Sequence, residues 1–143
     1  MELVTKLYEA ARRYRACGFF TGKETLSELM AKFLTAKGAE FCIKYDFPSS
    51  DLCRELKAAG VAANSVYIDA GKQQLYCPER IALVGNTEFT LECSSPDYPS
   101  RIILMKGARA HIIASGYSVV AVQAQDGCVY DITKRDHAFV SVT

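Results

Sequence analysis

The feature that most restricts the fold is a ten-residue repeat in the last third of the chain, from Gly107 to Thr143. Small residues stand at Ala108, Ser118, Cys128 and Ala138, and apolar ones two positions on at Ala110, Val120, Tyr130 and Val140. Ile112, Val122, Ile132 and Val142 follow after two more. Within each unit apolar side chains alternate, the pattern of a strand with one buried face. One such unit cannot bury that face alone, whereas stacked units can. A looser form of the repeat begins near residue 80. Arg80-Ile81-Ala82-Leu83 matches Arg101-Ile102-Ile103-Leu104, and Phe89, Leu91 and Cys93 match Ala110, Ile112 and Ala114, both at an offset of 21. The reading is a short β-solenoid with two units per coil of about twenty residues, and the alternative is an antiparallel meander. The turns favour the solenoid, because Asp126-Gly127 is the one pair typical of tight hairpins.

Before residue 60 the apolar period is that of helices. Leu3, Leu7, Ala11 and Tyr14 make one stripe of a helix over 2–17, with Gly18 as its stop. Thr25-Leu26-Ser27-Glu28 has the form of a capping box ahead of Leu29, Met30 and Phe33, and Gly38 is expected to end that second helix. Phe41, Ile43, Tyr45 and Phe47 alternate, which predicts a short strand or irregular packing segment. Ser49, Ser50 or Asp51 caps a third helix closed by Gly60. The expected class is therefore α+β: a three-helix section, 1–60, packed on or capping a β-repeat section, 61–143. Such a cap would cover strand edges at the solenoid's open end.

A chain of 143 residues with net charge +1 has no general electrostatic pull toward nucleic acid or acidic membranes. No run is long and apolar enough to span a bilayer, and the first residues lack a signal-peptide plan, so a cytoplasmic location is expected. The six cysteines, at 17, 42, 53, 77, 93 and 128, contain no Cys-x-x-Cys pair, so buried reduced thiols are expected rather than a zinc site.

The run Tyr45-Asp46-Phe47-Pro48-Ser49-Ser50-Asp51-Leu52-Cys53-Arg54-Glu55-Leu56, followed by Ile81-Ala82-Leu83-Val84-Gly85-Asn86 and the Ala-x-Ala and Val-x-Val units, resembles small uncharacterised proteins of gut-bacterial phages and prophages. In these a helical part ending in an Asp-Phe-Pro-Ser segment precedes a strand-repeat tail. The resemblance implies an accessory or structural role inside the host cell, with no catalytic residues to carry over.

Chemistry-bearing residues are sparse. His111 and His137 fall on the outward parity of the repeat, with Arg109, Gln123, Gln125, Asp131, Thr133, Arg135 and Ser141, as one mixed polar strip. Arg109, His111, Arg135 and His137 are the candidate binding residues there, and the basic run Arg12 to Arg15 at the end of the first helix contributes Arg12 and Arg13. Phosphate-loop, dinucleotide and nucleophile-elbow patterns are lacking. Asp126, Asp131 and Asp136 recur near turns without the glycines of a calcium repeat, and read as solvated turn acids. No metal or cofactor is expected. The favoured function is a non-enzymatic protein that binds a host or viral partner through a rigid β face, with a homodimer formed through the last strand, Ala138 to Val142. The alternative is a nucleotide-like binding or hydrolytic protein using Arg12, Arg13 and His111 in a basic helix–sheet cleft.

Overall fold

The computed structural model describes residues 2–15 and 18–143. Residues 16 and 17, the last expected in the first helix, therefore fall outside the described residues, Cys17 among them. The chain divides into two compact units, Met1–Asn64 and Ser65–Thr143.

Among the described residues the first unit holds four α-helices rather than three: α1 Leu3–Arg12, α2 Leu26–Phe33, α3 Ala36–Tyr45 and α4 Ser50–Ala58. A 3₁₀ turn, Val61–Asn64, closes it. The capping box at α2 is present, with the Thr25 hydroxyl accepting from the Glu28 N–H and the Glu28 carboxylate accepting from the Thr25 N–H. Ser49 caps α4 by accepting from the Leu52 N–H.

Most of the segment expected as a short strand or irregular packing segment lies in α3, with Phe47 beyond its end. Phe41 and Tyr45 are four apart as well as alternating with Ile43, so the same residues satisfy both periods. The Thr35 cap settles which period wins, since its hydroxyl donates to the Lys32 carbonyl and accepts from the Gly38 N–H. Gly38 lies inside α3 and does not stop α2. A Cβ there would overlap the Lys32 carbonyl, so glycine is needed for the close approach of two backbones. Phe41 then meets the rings of Tyr14, Phe20, Tyr45 and Phe47. The loop before α2 is held by Glu24, whose side chain is 5% exposed and pairs with Lys32 Nζ at 2.8 Å. Its oxygens also accept from the Thr21 and Gly22 N–H groups and the Thr21 hydroxyl.

The second unit is the solenoid. Its nine strands are β1 Val66–Ile68, β2 Gly71–Tyr76, β3 Arg80–Val84, β4 Thr87–Cys93, β5 Ser100–Met105, β6 Arg109–Ala114, β7 Val119–Ala124, β8 Val129–Lys134 and β9 Phe139–Val142. Every pairing is parallel, and odd and even strands form separate sheets, β1-β3-β5-β7-β9 and β2-β4-β6-β8. This excludes the meander, which needs antiparallel neighbours. The 21-residue offset is a true coil: Ile81 lies beside Ile102, and Phe89 beside Ala110. Ala110 lies beside Tyr130 and Val120 beside Val140, twenty residues on. The first coil is shorter, with Val66 beside Ala82 and Gly71 beside Thr87.

Two units per coil means that the ten-residue columns split between sheets: Ile112 stacks on Ile132, and Val122 on Val142. Between the sheets Ile81, Leu83, Phe89, Leu91, Ile102, Leu104, Ile112 and Val120 form a buried apolar interior. β3 and β5 are also buried on their outer face, through Ala82, Val84, Ile103 and Met105. That is why these strands read as continuous apolar runs rather than alternating ones.

The turns are tied from coil to coil by side chains that accept backbone N–H groups of the neighbouring turn. Asp69 accepts from Asn86, Gln125 from Lys106, and Asp136 from Gly116. Asp136 is thus a structural turn acid, and among the described residues no cluster of three or more His, Cys, Asp or Glu could hold a metal ion.

Candidate functional site

The outer face of the even sheet is a lattice of three rows and four columns, set by strand register. Lys72, Glu88, Arg109 and Val129 make the first row. Gln74, Thr90, His111 and Asp131 make the second, and Tyr76, Glu92, Ile113 and Thr133 the third. These side chains alternate with the interior set, so the parallel ladder fixes which of them are neighbours.

His111 sits at the centre of the charged part. Its Nδ1 is 2.7 Å from Asp131 Oδ2, and its Nε2 is 3.5 Å from Glu88 Oε2. The hydrogen bond to Asp131 raises the His111 pKa above its ordinary value. Partial burial opposes this, and the charge of Asp131 and the contact with Glu88 add to the rise. Lys72 Nζ and Arg109 Nη1 each lie 3.9 Å from the Glu88 carboxylate. Gln74 donates across one column to Glu92 at 3.2 Å. Charges on this face are therefore matched to one another, and its rim carries the exposed Val129 and Tyr76.

Thr90, His111 and Asp131 share a row and have the residue types of a nucleophile, base and acid. The geometry does not make that relay. His111 Nε2 faces Glu88, and a ring held between two carboxylates favours the protonated form, which is a poor base. The N–H groups of β6 are engaged by the strands on either side, which leaves none to stabilise an oxyanion.

The remaining candidates are spread out. Arg135 and His137 lie in the turn between β8 and β9, not on the lattice. The His137 ring stacks on Tyr117, with centroids 4.7 Å apart and planes 12° apart. The expected single polar strip is split, because successive units belong to opposite sheets. Arg109, His111, Asp131 and Thr133 face out of the even sheet, Ser141 lies on the odd one, and Gln125 is in a turn. Gln123 is buried and accepts from Arg101 at 2.6 Å.

Arg12 and Arg13 belong to the helical unit, at the C-terminal end of α1 and exposed, with Arg12 over the Tyr8 ring. That unit has an open depression of about 570 Å³ at the other end of α1, where Glu2, Leu3, Lys23, Glu24 and Ala59 contribute to the wall. Its acids do not make a basic cleft. Glu88, which bridges Lys72, Arg109 and His111, was not among the residues expected from sequence. The signal was present in its offset of 21 from Arg109, the same offset that relates β3 to β5.

No family model matches the chain, and neither a curated protein nor a solved structure does so. Among the described residues no helix is long and apolar enough to cross a membrane.

Proposed function

We propose that the chain is a non-catalytic binding module which engages a protein partner through the outer face of the even sheet. The observation that carries this reading is the lattice itself. Twelve outward positions are held in register by a parallel ladder, with mutually paired charges and an apolar rim. Pre-set side chains lose little freedom on docking, which favours specific association over a modest area. A host or phage protein as partner, and an accessory role in a phage or prophage, rest on the resemblance of the 45–56 segment and the repeat units.

The test compares the chain with a Lys72→Glu, Arg109→Glu, Asp131→Lys variant. Both are immobilised, captured proteins are identified, and the leading one is purified and titrated calorimetrically. Binding at least tenfold weaker to the variant, with an unchanged circular dichroism spectrum, supports the reading. Equal binding to both refutes it. A parallel thermal-shift screen against nucleotides and divalent metals should give no shift, and a rise of several degrees with a nucleotide would favour the hydrolytic alternative.

A second copy is the other partner this architecture suits. Among the described residues no strand pairs with the outer edges of β8 and β9. Tyr130, Ile132 and Val140, behind those edges, are only partly buried. Edge-to-edge pairing would continue both sheets. Light scattering should then show a mass above 15.8 kDa that Val140→Lys lowers. A monomer at high micromolar concentration rules it out.

A further inference from the structure

Cys77 directly follows β2 and Cys93 ends β4. The Cys77 N–H donates to the Glu92 carbonyl at 2.8 Å, which carries the β2–β4 ladder one residue past Tyr76 and Glu92. Cys77 and Cys93 are therefore direct neighbours on adjacent coils, in a column that continues with Ala114. Both point into the interior, at 1% and 2% exposure, and both are free thiols. Neighbouring strands are about 4.8 Å apart, inside the window of roughly 4.4–6.8 Å that a disulfide spans between Cα atoms. The Cys77 thiol donates to the Pro78 carbonyl at 3.5 Å.

We propose that Cys77 and Cys93 are a built-in redox pair, closed to a disulfide by a low-molecular-weight disulfide oxidant and reopened by thiols. The bond would staple the first coil to the second. In the first step the Cys77 thiolate attacks one sulfur of the oxidant. A Cys77 mixed disulfide forms and one oxidant thiolate leaves. Cys93 then gives up its proton and attacks the Cys77 sulfur, and the second oxidant thiolate leaves. Two protein thiols are oxidised by two electrons while one oxidant disulfide becomes two thiols.

The order of attack follows from the surroundings. Hydrogen bonds to the Cys77 sulfur, from Cys93 first and then Ser100, hold its pKa below the ordinary thiol value against the effect of burial. The Cys93 thiol, as donor in that contact and also buried, is raised. Entry is through the exposed 94–99 loop beside the pair, tethered by the Tyr98 hydroxyl donating to the Cys77 carbonyl at 3.0 Å. Transient opening of such a segment is enough for slow exchange.

The experiment incubates the full-length folded protein with oxidised glutathione, blocks remaining thiols and digests with trypsin without reductant. Cleavage after Lys72, Arg80 and Arg101 puts Cys77 in fragment 73–80 and Cys93 in fragment 81–101. A linked pair of these fragments is expected, lighter by two hydrogens than the separate peptides and lost after dithiothreitol. The urea midpoint of the oxidised protein should rise. Cys77→Ala and Cys93→Ala each abolish the linked pair, and alanine suits the column, as Ala114 shows. Glutathione adducts without the linked pair, or full labelling of both thiols after long oxidation, would overturn the proposal.

Discussion

Replacing Glu24 by glutamine removes one charge from a site that the helical unit has built around it. The carboxylate is nearly buried, and burial alone would raise its pKa. Hydrogen bonds from Lys32, the Thr21 backbone and the Thr21 hydroxyl outweigh burial and hold it at about 2, against 4.5 for a free glutamate. At about 1.36 kcal/mol per pH unit, that difference corresponds to about 3.4 kcal/mol in favour of the folded, ionised form. Glutamine keeps one acceptor oxygen, so the loss expected at pH 7 is about 2–3 kcal/mol.

The folded pKa is depressed, so this contribution is fully present above about pH 4.5 and lost as the pH falls toward 2. At pH 3 the linkage relation leaves about 1.4 kcal/mol of it. The assay is urea denaturation of wild type and Glu24→Gln, followed by far-ultraviolet circular dichroism at pH 7, 5, 4 and 3. The gap between the proteins should be nearly constant from pH 7 to 5 and narrow by about 2 kcal/mol at pH 3, to about 1 kcal/mol or less. Other carboxylates titrate equally in both and cancel in the difference. A gap below about 0.5 kcal/mol at pH 7, within the range of ordinary surface substitutions, or one that does not narrow with acid, would refute the argument.

Gly38→Ala should destabilise the helical unit by about 2 kcal/mol or more, because its Cβ overlaps the Lys32 carbonyl and backbone cannot move aside cheaply; urea denaturation reads it. Ile112→Ala, at a fully buried interior position, should cost about 2–5 kcal/mol in the same assay. Asp131→Asn should lower the titration midpoint of His111 toward its ordinary value, read from the ring proton shifts in a His137→Gln background. Because the folded His111 pKa is raised, the stability its contacts give is complete below the ordinary histidine value and fades as pH rises through the folded one. An unchanged midpoint would show that Asp131 does not set it.

What could be read from the sequence was whatever the repeat made redundant. The offset of 21 between Arg80–Leu83 and Arg101–Leu104 is the β3–β5 register, residue for residue. Ala110, Tyr130, Val120 and Val140 hold the later coils in step in the same way. The helical unit has no such redundancy, and there Phe41, Ile43 and Tyr45 fit two periods at once. The deciding features were the Thr35 cap and the closeness of Gly38 to Lys32, and the second is a tertiary contact with no local signature.

The site divides along the same line. Asp131 follows His111 by one coil, so their contact was implicit in the period. Glu88 reaches His111 along a diagonal, which a column-by-column reading passes over. Cys77 and Cys93 are neighbours only because the first coil is short, and the ten-residue repeat does not predict that coil's length.

The coil also sets a quantum for changes in chain length. Removing twenty residues from the regular part, where Ala110 lies beside Tyr130 and Val120 beside Val140, would leave each remaining strand in its own sheet and register. Removing ten would move every later strand to the opposite sheet. Its apolar side chains would still find the interior, because the units are alike, but its outward residues would be displayed on the wrong side. If the ten lay between them, Asp131 would part from His111 although neither residue had been touched. A lineage of such chains can therefore grow or shrink by whole coils and keep its lattice, whereas half-coil steps would preserve the fold and erase the surface.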